Sequence, residues 1–241
     1  MNEIDQWPTG GLSAALGILS SLNLENHLVI DVGAHEGETA YACHAARLSH
    51  MRCISIEPNP TAFAQLVHNS QKLADHNFDI EFLRSAVGNE VGTRSFVLTD
   101  QSAVAGLLEP FAGVDERVPT GDHRVVDRIN VEVVSIDSLL LDRQITHVHL
   151  LKIDTEGFDL EVLRGAIDVL GNNAVSVIIC EVFFVNYRNN QCFFWDIATF
   201  LHQLGYFFVN LYDTRPTAQG RLYTGNGIWV SPQVGQSLGY L

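Results

Sequence analysis

The chain has 241 residues, 46% of them hydrophobic, with a mean hydropathy of +0.10, which suits a folded domain with a full core and excludes a disordered chain. Its 14 Lys and Arg stand against 28 Asp and Glu, a net charge of −14. The average surface therefore repels polyanions, no run of Lys or Arg offsets this, and neither nucleic acid nor an anionic membrane is an expected partner.

In chain order, Gly11–Leu22 reads as a leading helix and Leu28–Val32 as an apolar strand, followed by a helix from about Glu38 to Leu48. Cys53–Glu57 is the next strand, and Pro60 suits the first turn of a helix reaching about Ala74. Phe78–Val87 reads as one strand, Ser95–Leu98 as a short one, and Asn130–Ile136 as a half-exposed one. Asp100–Asp127, with Pro110, Pro119 and mixed charges, has little periodicity, and a loop of that length is either functional or a solvated insertion. Val148–Asp154 is a buried strand, Phe158–Leu170 an amphipathic helix, and Val175–Glu181 another buried strand. A helix near Phe193–Leu204, strand Tyr206–Leu211, a hairpin-type connection over Thr214–Asn226 and strand Gly227–Val230 complete the pattern. This alternation predicts an α/β fold, Rossmann-like, with a mostly parallel sheet and helices on both faces.

Cys43, Cys53, Cys180 and Cys192 are dispersed without a C-x-x-C pair and read as buried or incidental thiols of a reducing compartment. The N-terminus is acidic and lacks the apolar core of a signal peptide. Ala174–Val185, the longest apolar stretch, is too short to span a membrane and is interrupted by Glu181. The expected location is cytoplasmic.

Two strand ends carry the chemistry. Val29–Gly37, V-I-D-V-G-A-H-E-G, is a strand opening into a glycine turn before a helix N-terminus, where a ligand can approach the backbone. A dinucleotide site would read G-x-G-x-x-G, with its second glycine admitting the pyrophosphate. Here Ala34, His35 and Glu36 stand between the glycines, and Glu36 and Glu38 would repel a pyrophosphate. A ligand with a positive centre and an amino-acid moiety fits better. Glu57 ends the next strand, where a carboxylate can accept both ribose hydroxyl hydrogens. His35, inside the turn, is placed to contact cofactor or substrate.

The second end is L-L-K-I-D-T-E-G at Leu150–Gly157. Strand alternation would point Asp154 and Glu156 the same way. Such a pair can orient an acceptor hydroxyl, take its proton, bind a divalent cation, or merely cap the helix that follows. Glu181 closes an apolar strand and would join them in a three-carboxylate cluster. Lys152 needs a carboxylate partner if buried. Asp137 reads as the cap of the short helix after it. His147 and His149 share one face of a strand without a third ligand nearby. The aromatic stretch from Phe183 to Trp195 reads mostly as core, with one or two rings left for an acceptor pocket or an oligomer interface.

Together V-I-D-V-G-A-H-E-G, I-E-P-N-P, S-A-V-G at Ser85–Gly88, V-S-I-D-S-L at Val134–Leu139, L-K-I-D-T-E-G-F-D-L-E-V-L-R-G-A at Leu151–Ala166 and I-I-C-E-V at Ile178–Val182 resemble the FkbM family of S-adenosylmethionine-dependent methyltransferases. N-G-I-W-V near the end is also similar, and His35 departs from the Asn usual in the family. The resemblance implies a class I methyltransferase fold over 1–241 as one domain, with 1–27 a helical lead-in and 100–127 a lid or substrate loop. It implies S-adenosylmethionine as cofactor, with Asp31, Gly33 and Gly37 at its amino-acid end, Glu57 at its ribose, and Ser85 and Ala86 near its adenine. Asp154, then Glu156, are the catalytic candidates. The expected reaction is O-methylation of a hydroxyl on a sugar or other natural-product small molecule. Methylation of nitrogen or a carboxylate, and a catalytically silent cofactor-binding scaffold, are the alternatives. A divalent cation is a further reading, not the favoured one.

Overall fold

A computed structural model of the chain describes residues 10–75, 77–111 and 124–240. In chain order it contains α1 (Gly11–Ser21), β1 (His27–Val32), α2 (Glu38–Ala46), β2 (Met51–Ile56), α3 (Pro60–Ser70), β3 (Phe78–Leu83), β4 (Ala86–Val87) and β5 (Gly92–Thr99). After a 3-10 turn at Ser102–Val104 come β6 (Val125–Val134), α4 (Ile136–Asp142), β7 (Val148–Ile153), α5 (Asp159–Arg164) and α6 (Ile167–Gly171). β8 (Val175–Phe183), α7 (Phe194–Gln203), β9 (Phe207–Pro216), β10 (Leu222–Val230) and α8 (Pro232–Ser237) follow.

A seven-stranded sheet runs β3-β2-β1-β7-β8-β10-β9, parallel from β3 to β8, with β10 and β9 antiparallel at one edge. The two-residue alternation of β1 divides its side chains between the faces. Leu28, Ile30 and Val32 join the core beneath α4 to α7, while Val29 joins the one beneath α1, α2 and α8. Because both faces are covered, the central strands are apolar runs. Strand order reverses between β1 and β7, so their carboxyl ends open a crevice of the kind in which α/β sheets bind ligands.

Local chemistry sets the helix starts. Asn59 Oδ1 accepts the Thr61 N–H at 3.1 Å and Pro60 occupies the first turn of α3. Ser135 and Ser138 form a reciprocal cap at the start of α4.

Several elements differ from the sequence expectation. Phe78–Val87 is not one strand. The chain leaves the large sheet after Leu83, the Ser85 hydroxyl donates to the Glu132 carbonyl at 2.9 Å, and β4 enters a separate sheet ordered β4-β6-β5. Strand β6 starts at Val125, so the irregular segment is shorter than Asp100–Asp127, and residues 112–123 lie outside the described part. The expected helix Phe158–Leu170 is two. At Gly165 a Cβ would come within 2.2 Å of the Gly88 carbonyl oxygen, and the close approach interrupts the helix. Asp137 caps α6 rather than its own helix, accepting the N–H groups of Asp168 (2.9 Å) and Val169 (3.1 Å). Thr214–Asn226 is the expected hairpin connection, its ends lengthening the antiparallel strands β9 and β10 on either side of a short turn.

All four cysteines are free and buried. Among the described residues no helix is long and apolar enough to cross a membrane.

Candidate active site

The carboxyl ends of β1, β2, β7 and β8 surround a cavity of about 480 Å³. Gly33, His35, Glu57, Ser85, Ala86, Asp154, Glu156 and Glu181 all line it. Of the residues expected at the site, Asp31 and Gly37 do not. Asp31 is fully buried and acts on the wall through Lys152, whose Nζ lies 3.4 Å from Asp31 Oδ1, 3.5 Å from Asp154 Oδ2 and 3.2 Å from the Gly33 carbonyl. Gly37 precedes α2 at φ 103°, and a Cβ there would meet Ser70 Oγ at 2.3 Å, so its glycine allows α3 to approach the turn.

Gly33 has a similar constraint. Its φ is +76°, and an added Cβ would fall 1.9 Å from the Asp154 carbonyl oxygen. The turn after β1 is thus packed directly on the chain leaving β7, and the two motifs form one wall.

Glu57 is buried yet borders the cavity. Its oxygens accept the N–H groups of His35 (3.0 Å) and Asn59 (2.8 Å), leaving lone pairs for further donors. Burial raises its pKa and the two backbone donors hold it down. His35, at φ 44°, puts Nε2 3.0 Å from Ser102 Oγ and Nδ1 3.8 Å from Glu38 Oε1. The Glu38 contact raises the imidazole pKa against burial. Ser102 begins a strap, Ser102–Leu107, that lines the cavity and includes the 3-10 turn.

Strand alternation does not govern Asp154 and Glu156, because β7 ends at Ile153 and Glu156 turns back at φ 58°. The turn still converges them: one carboxylate oxygen each from Asp154, Glu156 and Glu181 lie within 4.8 Å of one another. Their environments differ. Asp154 keeps 41% of its side chain exposed. Glu156 is nearly enclosed, 3.3 Å from Nη2 of the buried Arg188, and burial pushes its pKa up to about 8 despite that guanidinium. Glu181 is also raised well above the ordinary carboxyl range, by burial first and then by Asp154 and Glu156, with the Thr224 hydroxyl 3.2 Å from its Oε1. Burial draws the Lys152 pKa down, but Asp31 and Asp154 outweigh it and leave the ammonium firmly charged.

Neither Asp154 nor Glu156 caps the next helix. Asp159 fixes that turn instead, accepting from the Thr155 hydroxyl (3.1 Å) and the Gly157 N–H (3.2 Å). Arg188 was not legible as a site residue: it lies within the aromatic stretch, is 3% exposed, and also donates to the Val104 carbonyl of the strap. His147 and His149 stand away from the cavity, bonded to Ser176 Oγ and the Leu28 N–H, and burial draws His149 down to about 4. Phe183 packs with Tyr187 and Tyr223, and Phe184, Phe194 and Trp195 form a second aromatic cluster.

Residues 31–208 match the family model described as methyltransferase FkbM domain. The hexuronic acid methyltransferase AglP of Haloferax volcanii is 26% identical over 160 residues, covering 66% of this chain and 56% of that protein. The crystal structure of methyltransferase FkbM from Methylobacillus flagellatus aligns with a TM-score of 0.55 at 16% identity, covering 86% of this chain and 44% of that one. The chain thus spans about half the length of these relatives.

Proposed function

The chain belongs to the FkbM methyltransferase family and has its Rossmann-like class I fold, and from that premise we propose that it transfers a methyl group from S-adenosylmethionine to a hydroxyl oxygen of a sugar or similar small molecule. The observation that carries this reading is one cavity bordered both by the Glu57 carboxylate and by the Asp154–Glu156–Glu181 cluster. The activity of AglP on a hexuronic acid supports a sugar acceptor.

The wall suits the cofactor. Glu57 is a built acceptor for ribose hydroxyls, its remaining lone pairs facing the cavity while backbone donors fix the carboxylate. Val32, Ile56, Val87 and Phe96 offer apolar surface beside Ser85 and Ala86 for the adenine. The turn at Gly33 and His35 borders the amino-acid end, and Asp31 serves it indirectly by fixing Lys152. Carboxylates dominate the charged lining, which favours a cationic sulfonium. When bound, S-adenosylmethionine supplies an electrophilic methyl carbon.

The remaining work is positioning and proton removal. Asp154, 41% of whose side chain is exposed, accepts the proton of the acceptor hydroxyl, with the Lys152 ammonium 3.5 Å from its Oδ2. Glu156, held by Arg188, orients the acceptor. A divalent cation across the cluster draws on the convergence of the three carboxylates, but Lys152 and Arg188 already neutralise part of their charge.

Turnover of Asp154→Asn tests the assignment. The variant should retain S-adenosylhomocysteine binding and lose about 10²- to 10⁴-fold in kcat. Full turnover by the folded variant would remove Asp154 as proton acceptor.

A further inference from the structure

We propose that Arg215 binds an anionic group on the acceptor, a carboxylate, so that the substrate class is an acidic sugar; this rests on the methyltransferase reading above and deepens it. Arg215 lies on β9 and lines the same cavity as the carboxylate cluster. Its backbone partner across the hairpin is Thr224, whose hydroxyl contacts Glu181 Oε1 at 3.2 Å. Arg215 is thus an exposed residue at the β9–β10 rim of the cavity, beside the strand that holds the cluster's third carboxylate.

The lysine and arginine of the described cavity wall are Lys152 and Arg215. Lys152 is committed to Asp31 and Asp154. Arg215 makes no hydrogen bond or ion pair with any described residue. The carboxylate two positions before it does not hold it, because Asp213 Oδ2 already accepts the Gly11 N–H at 2.8 Å and Asn226 Nδ2 at 2.9 Å. A guanidinium left uncommitted on a wall rich in acidic side chains is a strong berth there for an anion.

The chemistry is specific. A guanidinium presents paired N–H donors that match a carboxylate bidentately, which fixes orientation as well as charge. Glu38, Glu57, Asp154 and Asp213 also line the cavity and make the rest of the wall a poor berth for an anion. With the acid held at Arg215, the hydroxyl end of the sugar is directed towards the cluster. The net charge of −14 opposes approach of an anion from a distance, but salt screens that field beyond about 8 Å, so Arg215 governs recognition at contact.

Ligand-observed NMR titrations of the whole chain with glucuronate and with glucose, each with and without saturating S-adenosylhomocysteine, test the proposal. The wild-type protein should bind glucuronate at least ~10-fold more tightly than glucose, a tenfold ratio being the size of one good charge-assisted contact. Arg215→Gln should abolish the preference and Arg215→Lys keep part of it, with S-adenosylhomocysteine affinity unchanged in both. Equal binding of the two sugars, no binding of glucuronate, or a preference that survives Arg215→Gln would overturn it. Failure of S-adenosylhomocysteine to bind the wild type would strike the cofactor reading instead, and the sugar arm run without it still reads Arg215.

Discussion

Lys152 Nζ stands 3.4 Å from Asp31 Oδ1, joining the end of β1 to the end of β7 through a buried ion pair. The same ammonium reaches Asp154 at 3.5 Å. Asp31 therefore earns its place in the glycine-turn motif by holding a cation beneath the site rather than by bordering the cavity.

Removing that cation leaves Asp31 buried and unpaired. Lys152→Met should cost about 3–5 kcal/mol in urea unfolding, the usual penalty for breaking a buried pair from one side. Asp31→Asn introduced into the same background should recover most of the loss. A cost below about 1 kcal/mol for Lys152→Met would show that the pair does not hold the two strand ends.

Glycine substitutions separate close approach from helix propensity. Gly33→Ala combines a positive φ with a Cβ 1.9 Å from the Asp154 carbonyl, and should destabilise by about 2 kcal/mol or more while disturbing ligand binding. Gly17, on an exposed face of α1, has nothing within 4 Å of an added Cβ. Gly17→Ala should stabilise by about 0.5–1 kcal/mol. Denaturant midpoints of the two variants moving in opposite directions would bear this out.

The buried acids set a pH dependence. Glu156 is raised from 4.5 to about 8 and Asp159 from 3.8 to about 7, burial being the largest cause in each. Between those values the folded chain keeps protons that the unfolded chain has released, so stability falls as pH rises through roughly 4 to 8, by up to about 1.4 kcal/mol per pH unit for each group. Thermal unfolding followed across that range should show the decline, and it should be shallower in Asp159→Asn.

Chelation tests the carboxylate cluster. Since Lys152 and Arg188 compensate Asp154 and Glu156, methyl transfer should persist undiminished after EDTA treatment and dialysis. Activity lost to EDTA and restored by Mg²⁺ would instead assign the Asp154–Glu156–Glu181 cluster to a cation.

The large sheet was legible because β1, β2 and β7 are mostly apolar runs followed by Gly33, Glu57 and Asp154, and β8 is an apolar run that Glu181 interrupts near its end, and such runs mark strands buried on both faces. The small sheet was not, because β4 is two residues long and gains its partner β6 only through tertiary contact. The break between α5 and α6 depends on where the Gly88 backbone passes, which the amphipathic pattern of Phe158–Leu170 does not encode. In the site, Glu57, Asp154 and Glu156 stood at strand ends or just beyond them and were visible in sequence. Arg188 and Ser102 were invisible because their partners, Glu156 and His35, are distant in the chain.

The central claim is that Glu57 and the turn after β1 hold S-adenosylmethionine. Calorimetric titration of the whole chain with S-adenosylhomocysteine tests it most directly. The wild type should bind at one site, and Glu57→Ala should weaken binding about 10- to 100-fold, the worth of hydrogen bonds to a charged group. No binding to the folded wild type, or an affinity untouched by Glu57→Ala, would contradict the account.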